Sequence, residues 1–132
     1  MKYIHCHCND GCMAPVIAKE QSSKRWQLFG LSEVMGMGVG DWSMPLLPEP
    51  CDEVVALNRM DGHTSYVAFR QDALWSLLKI DDNGKLECEI SLIEPLNSQS
   101  SLDNLLRIQG ILKEDFIIGE IHEGFSDHGL YG

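Results

Sequence analysis

Val16-Ile17-Ala18-Lys19-Glu20-Gln21, a short polar gap, and Trp26-Gln27-Leu28-Phe29-Gly30-Leu31-Ser32 are matched later in the chain by a second stretch. That stretch is Tyr66-Val67-Ala68-Phe69-Arg70-Gln71, then Trp75-Ser76-Leu77-Leu78-Lys79-Ile80-Asp81. Ala18 aligns with Ala68, Gln21 with Gln71 and Trp26 with Trp75. Each copy reads as a strand, a polar turn and a strand that opens with Trp. The reading predicts two antiparallel hairpin repeats, at about 16–50 and 66–95.

Working outward, further short apolar runs extend the β pattern. Tyr3-Ile4-His5-Cys6-His7-Cys8, Pro15–Ala18, Val54–Leu57 and Ser65–Phe69 have strand length, and Leu86–Ile93 alternates apolar and polar for most of its length. Asn9-Asp10-Gly11, Asp61-Gly62 and Asp82-Asn83-Gly84 supply turns, and Asn83-Gly84 is the clearest hairpin signal because both residues tolerate positive φ. Gly36-Met37-Gly38-Val39-Gly40 reads as a flexible turn, since it lacks the Lys-Ser/Thr of a phosphate-binding loop. One helix is expected near the C-terminus. Ser100 is placed to cap it with Asp103 three residues on, Leu102, Leu105, Leu106 and Gln109 share one face, and Gly110 stands near its end. Phe116–Ile121 reads as a final strand. A competing local reading makes 71–80 helical, from the spacing of Ala73, Leu74, Leu77 and Leu78. The fold class is therefore mostly β (α+β), antiparallel hairpins with one C-terminal helix, in a single domain over 1–132. At 132 residues, dividing the chain would leave each part too small for a stable core.

Pro50-Cys51-Asp52-Glu53-Val54, Trp75-Ser76-Leu77-Leu78 and Asp82-Asn83-Gly84-Lys85 resemble the units of the bacterial WG-repeat (KWG-repeat) family over about residues 16–95. The glycine that follows Trp in that family is Gln27 or Ser76 here, and Cys51 stands where the family has Tyr. The resemblance implies an array of β-hairpins used as a binding scaffold, with no cofactor or catalytic residue to carry over.

Charge narrows the partner. Twenty acids against ten bases give a formal charge of −10. Residues 1–80 hold nine acids and seven bases, whereas 81–132 hold eleven acids against Lys85, Arg107 and Lys113. Such a surface repels phosphate backbones, which argues against direct nucleic-acid binding, and it attracts a basic protein. The same charge also serves solubility. No apolar run approaches the roughly 20 residues that span a bilayer. The opening residues MKYIHCHCND lack the apolar core of a signal peptide. Five cysteines, three of them within Cys6–Cys12, form a poor disulfide framework. These features point to the cytoplasm and away from membranes.

The densest chemical cluster is His5-Cys6-His7-Cys8 with Cys12. On a strand the histidines face one side and Cys6 and Cys8 the other, and the spacing lacks the second Cys pair of a structural zinc domain. Cys51 and Cys88 carry no nucleophile motif, and no hydrolase, zincin, dinucleotide or phosphate-loop pattern is present. No catalytic residue, metal or cofactor is expected. The leading expectation is a non-enzymatic acidic binding protein, an immunity- or antitoxin-like inhibitor of a basic protein such as a nuclease toxin. Alternatives are a phage-encoded inhibitor that mimics nucleic acid, and a small zinc-binding protein using Cys6, Cys8, Cys12 and a His. The expected partner-binding residues are Glu114, Asp115, Glu120, Glu123 and Asp127, with Glu120 projecting opposite Ile121.

Overall fold

A computed structural model describes residues 2–6, 16–33, 40–59, 64–82, 88–93 and 98–123. The Asn83-Gly84 turn, Gly36–Val39, the Asn9–Gly11 and Asp61-Gly62 turns, Cys8, Cys12 and Asp127 lie outside these residues. The chain is mostly β, with one α-helix among the described residues. Its strands are β1 (Lys2–Cys6), β2 (Val16–Glu20), β3 (Trp26–Glu33), β4 (Gly40–Pro45), β5 (Glu53–Asn58), β6 (Ser65–Gln71), β7 (Leu74–Asp82), β8 (Cys88–Leu92), β9 (Ile117–Ile118) and β10 (Ile121–Glu123). Helix α1 (Leu102–Gln109) precedes a single 3-10 turn at Lys113–Asp115. Two antiparallel five-stranded sheets form, in the orders β10-β1-β2-β3-β4 and β8-β7-β6-β5-β9.

The two hairpins share a register. Ala18 lies opposite Leu28 and Glu20 opposite Trp26, while Ala68 lies opposite Leu77 and Arg70 opposite Trp75. Each Trp also makes a two-way backbone bridge. The Trp26 N–H donates to the Cys51 carbonyl at 2.7 Å, and the Trp26 carbonyl accepts the Cys51 N–H at 2.6 Å. Trp75 does the same with Gln99, at 2.6 and 3.0 Å. Both indoles are buried.

These equivalent residues face different neighbours. Ala18, Trp26 and Leu28 pack into the core between the sheets, against Val67, Phe69, Leu78 and Ile80. Ala68, Trp75 and Leu77 point the other way and are covered by Leu105, Leu106 and Ile111. The second sheet is therefore a middle layer, apolar on both faces. That explains why Val67-Ala68-Phe69 and Leu77-Leu78 are consecutively buried. It also removes the helical reading of 71–80, since adjacent leucines entering opposite cores require an extended chain.

Local chemistry sets the connections. Asp72 and Ala73, at φ 50° and 68°, form the two-residue turn between β6 and β7 that matches strand twist. In the first hairpin the loop is longer, closed by Lys24 N–H to the Gln21 carbonyl at 2.9 Å with Lys24 at φ 64°. The linker between the units is held from both sides. Arg25 Nε donates to Asp52 at 3.0 Å, Arg70 Nη1 lies 3.8 Å from the same carboxylate, and Gln71 Nε2 donates to the Glu49 carbonyl at 3.0 Å.

Helix α1 begins one residue later than its sequence pattern indicated. Ser101, not Ser100, is the N-cap, and its Oγ accepts the Asn104 N–H at 3.4 Å. The Trp75 bridge keeps Gln99 extended, which delays the first turn. Gly110, at φ 72°, ends the helix. Its N–H reaches the Arg107 carbonyl and the Ile111 N–H the Leu106 carbonyl, with Ile111 and Leu106 in the same apolar cluster.

Two further expectations are corrected. Gly40 does not belong to a turn but opens β4, paired with Glu33. Phe116–Ile121 is not one strand. Ile117 and Ile118 pair with Asn58 and Leu57 of β5, then the chain crosses to the first sheet, where Ile121, His122 and Glu123 pair with Ile4, Tyr3 and Lys2 of β1. Gly119 makes the crossing, its N–H bonded to the Ala56 carbonyl at 2.9 Å. A Cβ there would lie 2.8 Å from Ala56 Cβ and 2.9 Å from Ile4 Cγ2.

Two stability changes of opposite sign are expected. Gly119→Ala forces apart two rigid core positions and should cost about 1–3 kcal/mol, as overpacking does. Urea unfolding checks this, and an unchanged midpoint would contradict the crossing. Ala73→Gly should gain about 0.5–1 kcal/mol. It removes a left-handed penalty of roughly 1–2 kcal/mol and gives back roughly 0.4–1 kcal/mol of unfolded-chain entropy.

Candidate partner-binding edge

Segment 110–123 runs from the end of α1 down the open edge of both sheets. Ile111 enters the core beneath the helix, while Leu112 turns outward and is 57% exposed. Phe116 anchors the next stretch. Its ring meets Tyr66 edge-on at 5.8 Å, and the Arg59 guanidinium lies 5.5 Å from its centroid. Beyond it Ile117, Ile118 and Ile121 are 60%, 46% and 57% exposed.

Ladder geometry places these isoleucines. Ile117 lies opposite Asn58, whose Nδ2 donates to the His5 carbonyl of the first sheet, and Ile121 lies opposite the core residue Ile4. Both therefore open onto the rim of the seam between the sheets. Ile118, opposite Leu57, sits on the helix side. Two open grooves flank the Gly110–Leu112 corner. One, of about 420 Å³, is lined by Arg59, Tyr66, Leu112, Asp115 and Phe116, and the other includes Leu112, Lys113 and Glu114.

Of the expected binding residues, Glu114 and Asp115 stand on the 3-10 turn, Glu120 between β9 and β10, and Glu123 at the end of β10. All four are exposed. Among the described residues none of them forms an ion pair, whereas Lys113 is engaged by Asp103 at 3.2 Å. Glu120 follows the strand break, so strand alternation with Ile121 does not define its direction. The exposed apolar residues Leu112, Ile117, Ile118 and Ile121 escaped the sequence reading, which placed the isoleucines in one final strand over Phe116–Ile121. The available signal was the adjacency of Ile117 and Ile118, which cannot both face one core.

The two described members of the N-terminal cluster, His5 and Cys6, divide as strand alternation requires. Cys6 is fully buried between the sheets, with its thiol toward the Ile4 carbonyl at 3.9 Å, while His5 lies on the outer face. Burial pushes the Cys6 thiol up to about 12. Cys51 also reaches about 12, chiefly through burial, with Arg25 opposing and Asp52 adding to the rise. Neither thiol is a nucleophile at neutral pH. Among the described residues no three His, Cys, Asp or Glu side chains converge as a metal site.

On the outer face Tyr3, His5 and His122 form a ring cluster. Tyr3 and His122 stack at 5.2 Å and 27°, Tyr3 and His5 are 5.3 Å apart, and the two imidazoles 5.6 Å apart. His5 Nε2 is buried without a hydrogen-bond partner. Burial first, and His122 second, hold the His5 pKa below its ordinary value. Among the described residues no helix is long and apolar enough to cross a membrane. No family model, no curated protein and no solved structure matches the chain.

Proposed function

We propose that this chain is a non-catalytic, cytoplasmic binding protein that grips a basic protein partner through segment 112–123, in the manner of an immunity- or antitoxin-type inhibitor. One observation carries the reading. Leu112, Ile117, Ile118 and Ile121 are exposed within the same short segment as the unpaired carboxylates of Glu114, Asp115, Glu120 and Glu123. An apolar strip rimmed by charge has the composition of a partner site, where desolvated apolar groups hold the complex and rim charges steer encounter. The sign of the rim selects Arg- and Lys-rich surfaces, such as the substrate cleft of a nuclease. The −10 charge of the whole chain adds long-range attraction to the same class. Within this reading the two hairpin units are degenerate WG-type repeats serving as scaffold, supported by their common Ala–Leu and Trp registers.

The test uses the partner cross-linked to the protein in cells and then purified. Reversing Glu114, Asp115, Glu120 and Glu123 to Lys should slow association roughly tenfold or more and flatten its salt dependence. Ile117→Asp with Ile121→Asp should instead speed dissociation. A control reversal of Glu20, Glu49 and Asp72 should change association far less. Equal losses from both reversals would reduce the effect to net charge and remove the assigned surface.

A further inference from the structure

Apart from its three-residue backbone ladder with β1, strand β10 has one half-buried side chain, that of His122, among the described residues. Of its three residues Ile121 is 57% exposed and Glu123 is exposed, so only His122 is half-buried. That ring stacks on Tyr3, its direct ladder partner, and leans on His5 across the diagonal. We propose that the His5–His122 contact is a pH-sensitive latch, which docks β10 on β1 while His5 is neutral and releases it when His5 is protonated.

The surroundings favour the neutral pair. Tyr3 on β1 and Lys19 on β2, opposite Tyr3, face it, with the Lys19 ammonium 5.2 Å from the Phe29 ring of β3. Asn58 on β5 contributes an amide that is bonded to the His5 carbonyl. Among the described residues that face the pair, none is a carboxylate. The nearest carboxylates along the chain belong to Glu120, outside the strand, and Glu123, which strand alternation turns to the opposite face from His122. A positive charge on His5 therefore lies against the His122 ring 5.6 Å away, and its Nε2 is buried with no hydrogen-bond partner to offset the lost hydration.

The direction of the pH dependence follows. His5 titrates below its ordinary value of 6.5 when β10 is docked. The undocked chain then binds the proton first as pH falls. Docking is fully favoured above that value and is lost as pH drops through it toward the docked one. Strands β6 and β7 of the second sheet do not share this dependence, because they carry no histidine.

Amide exchange on the full chain tests the latch without any partner. Between pH 7.5 and 5.5, after correction for intrinsic rates, protection of 121–123 should fall roughly fivefold or more, while β6 and β7 hold. His5→Gln should keep β10 protected at both pH values, because the Tyr3–His122 stack remains. His122→Gln should leave β10 weakly protected at both. An equal pH-dependent loss in His5→Gln, no loss in the wild type, or a parallel loss in β6 and β7 would overturn the latch. If the variants fail to fold, the wild-type imidazole resonances decide. His5 must titrate below 6.5 with the Ile121 amide shift following it, and an Ile121 shift that ignores the titration rejects the latch.

Discussion

At Gly119 the chain passes between Ala56 of one sheet and Ile4 of the other, with room for a hydrogen and not for a methyl group. Everything beyond that point depends on the passage. On one side the backbone completes the edge of β5, and on the other it completes the edge of β1. A continuous strand would cover one edge only and would leave the second sheet or the first unpaired. The crossing costs a break in the ladder, offset by the Gly119 N–H bond to the Ala56 carbonyl. It also brings Ile117 and Ile121 to the mouth of the seam, so the constraint that ties the sheets together also presents the candidate site.

The sheets themselves stack head to tail. The Trp-bearing face of the first unit rests on the back of the second, and the Trp-bearing face of the second rests on α1. The helix thus occupies the place that a third sheet would take. This arrangement explains the apolar content of the central parts of β6 and β7, which lie in the middle layer and carry apolar residues on both faces. Asp52 sits at the join between units, where Arg25, Arg70 and the Asp72 N–H converge on one carboxylate. Partly exposed pairs of this kind stabilise by a kcal/mol or less each. Their value lies in fixing the linker so that the second hairpin starts in register.

The hairpins were legible because their information is local. Turn residues, alternating runs and the Ala–Gln–Trp spacing lie within a few positions of each other in each copy. β4 was hidden because Gly40, Asp41 and Pro45 are poor strand formers, and it pairs with β3 across a register shift between Gly30 and Ser32. The helix was visible but its start was not, since the Trp75–Gln99 bridge that delays it is a tertiary contact. The break at Gly119 was invisible for the same reason. Charge excess marked Glu114, Asp115, Glu120 and Glu123 without structural help. The adjacency of Ile117 and Ile118 hinted that one of them faces outward, but which apolar residues meet solvent depends on where the sheet edges fall. His5 and His122 lie near opposite ends of the described chain, and only the β1–β10 pairing brings their rings together.

Exposed isoleucines on two open sheet edges would ordinarily invite pairing with a second copy of the chain. Here the edge strands are two and three residues long, too short to template an extended ladder. Glu120 and Glu123 flank the apolar positions, and any second copy brings the same negative charges to the same place. Self-association therefore meets repulsion just where apolar contact would reward it. A basic surface meets no such penalty. It gains the apolar contact and neutralises the rim at once. Under the proposed function, the charge pattern that disfavours self-association is thus the one that would admit a cationic partner.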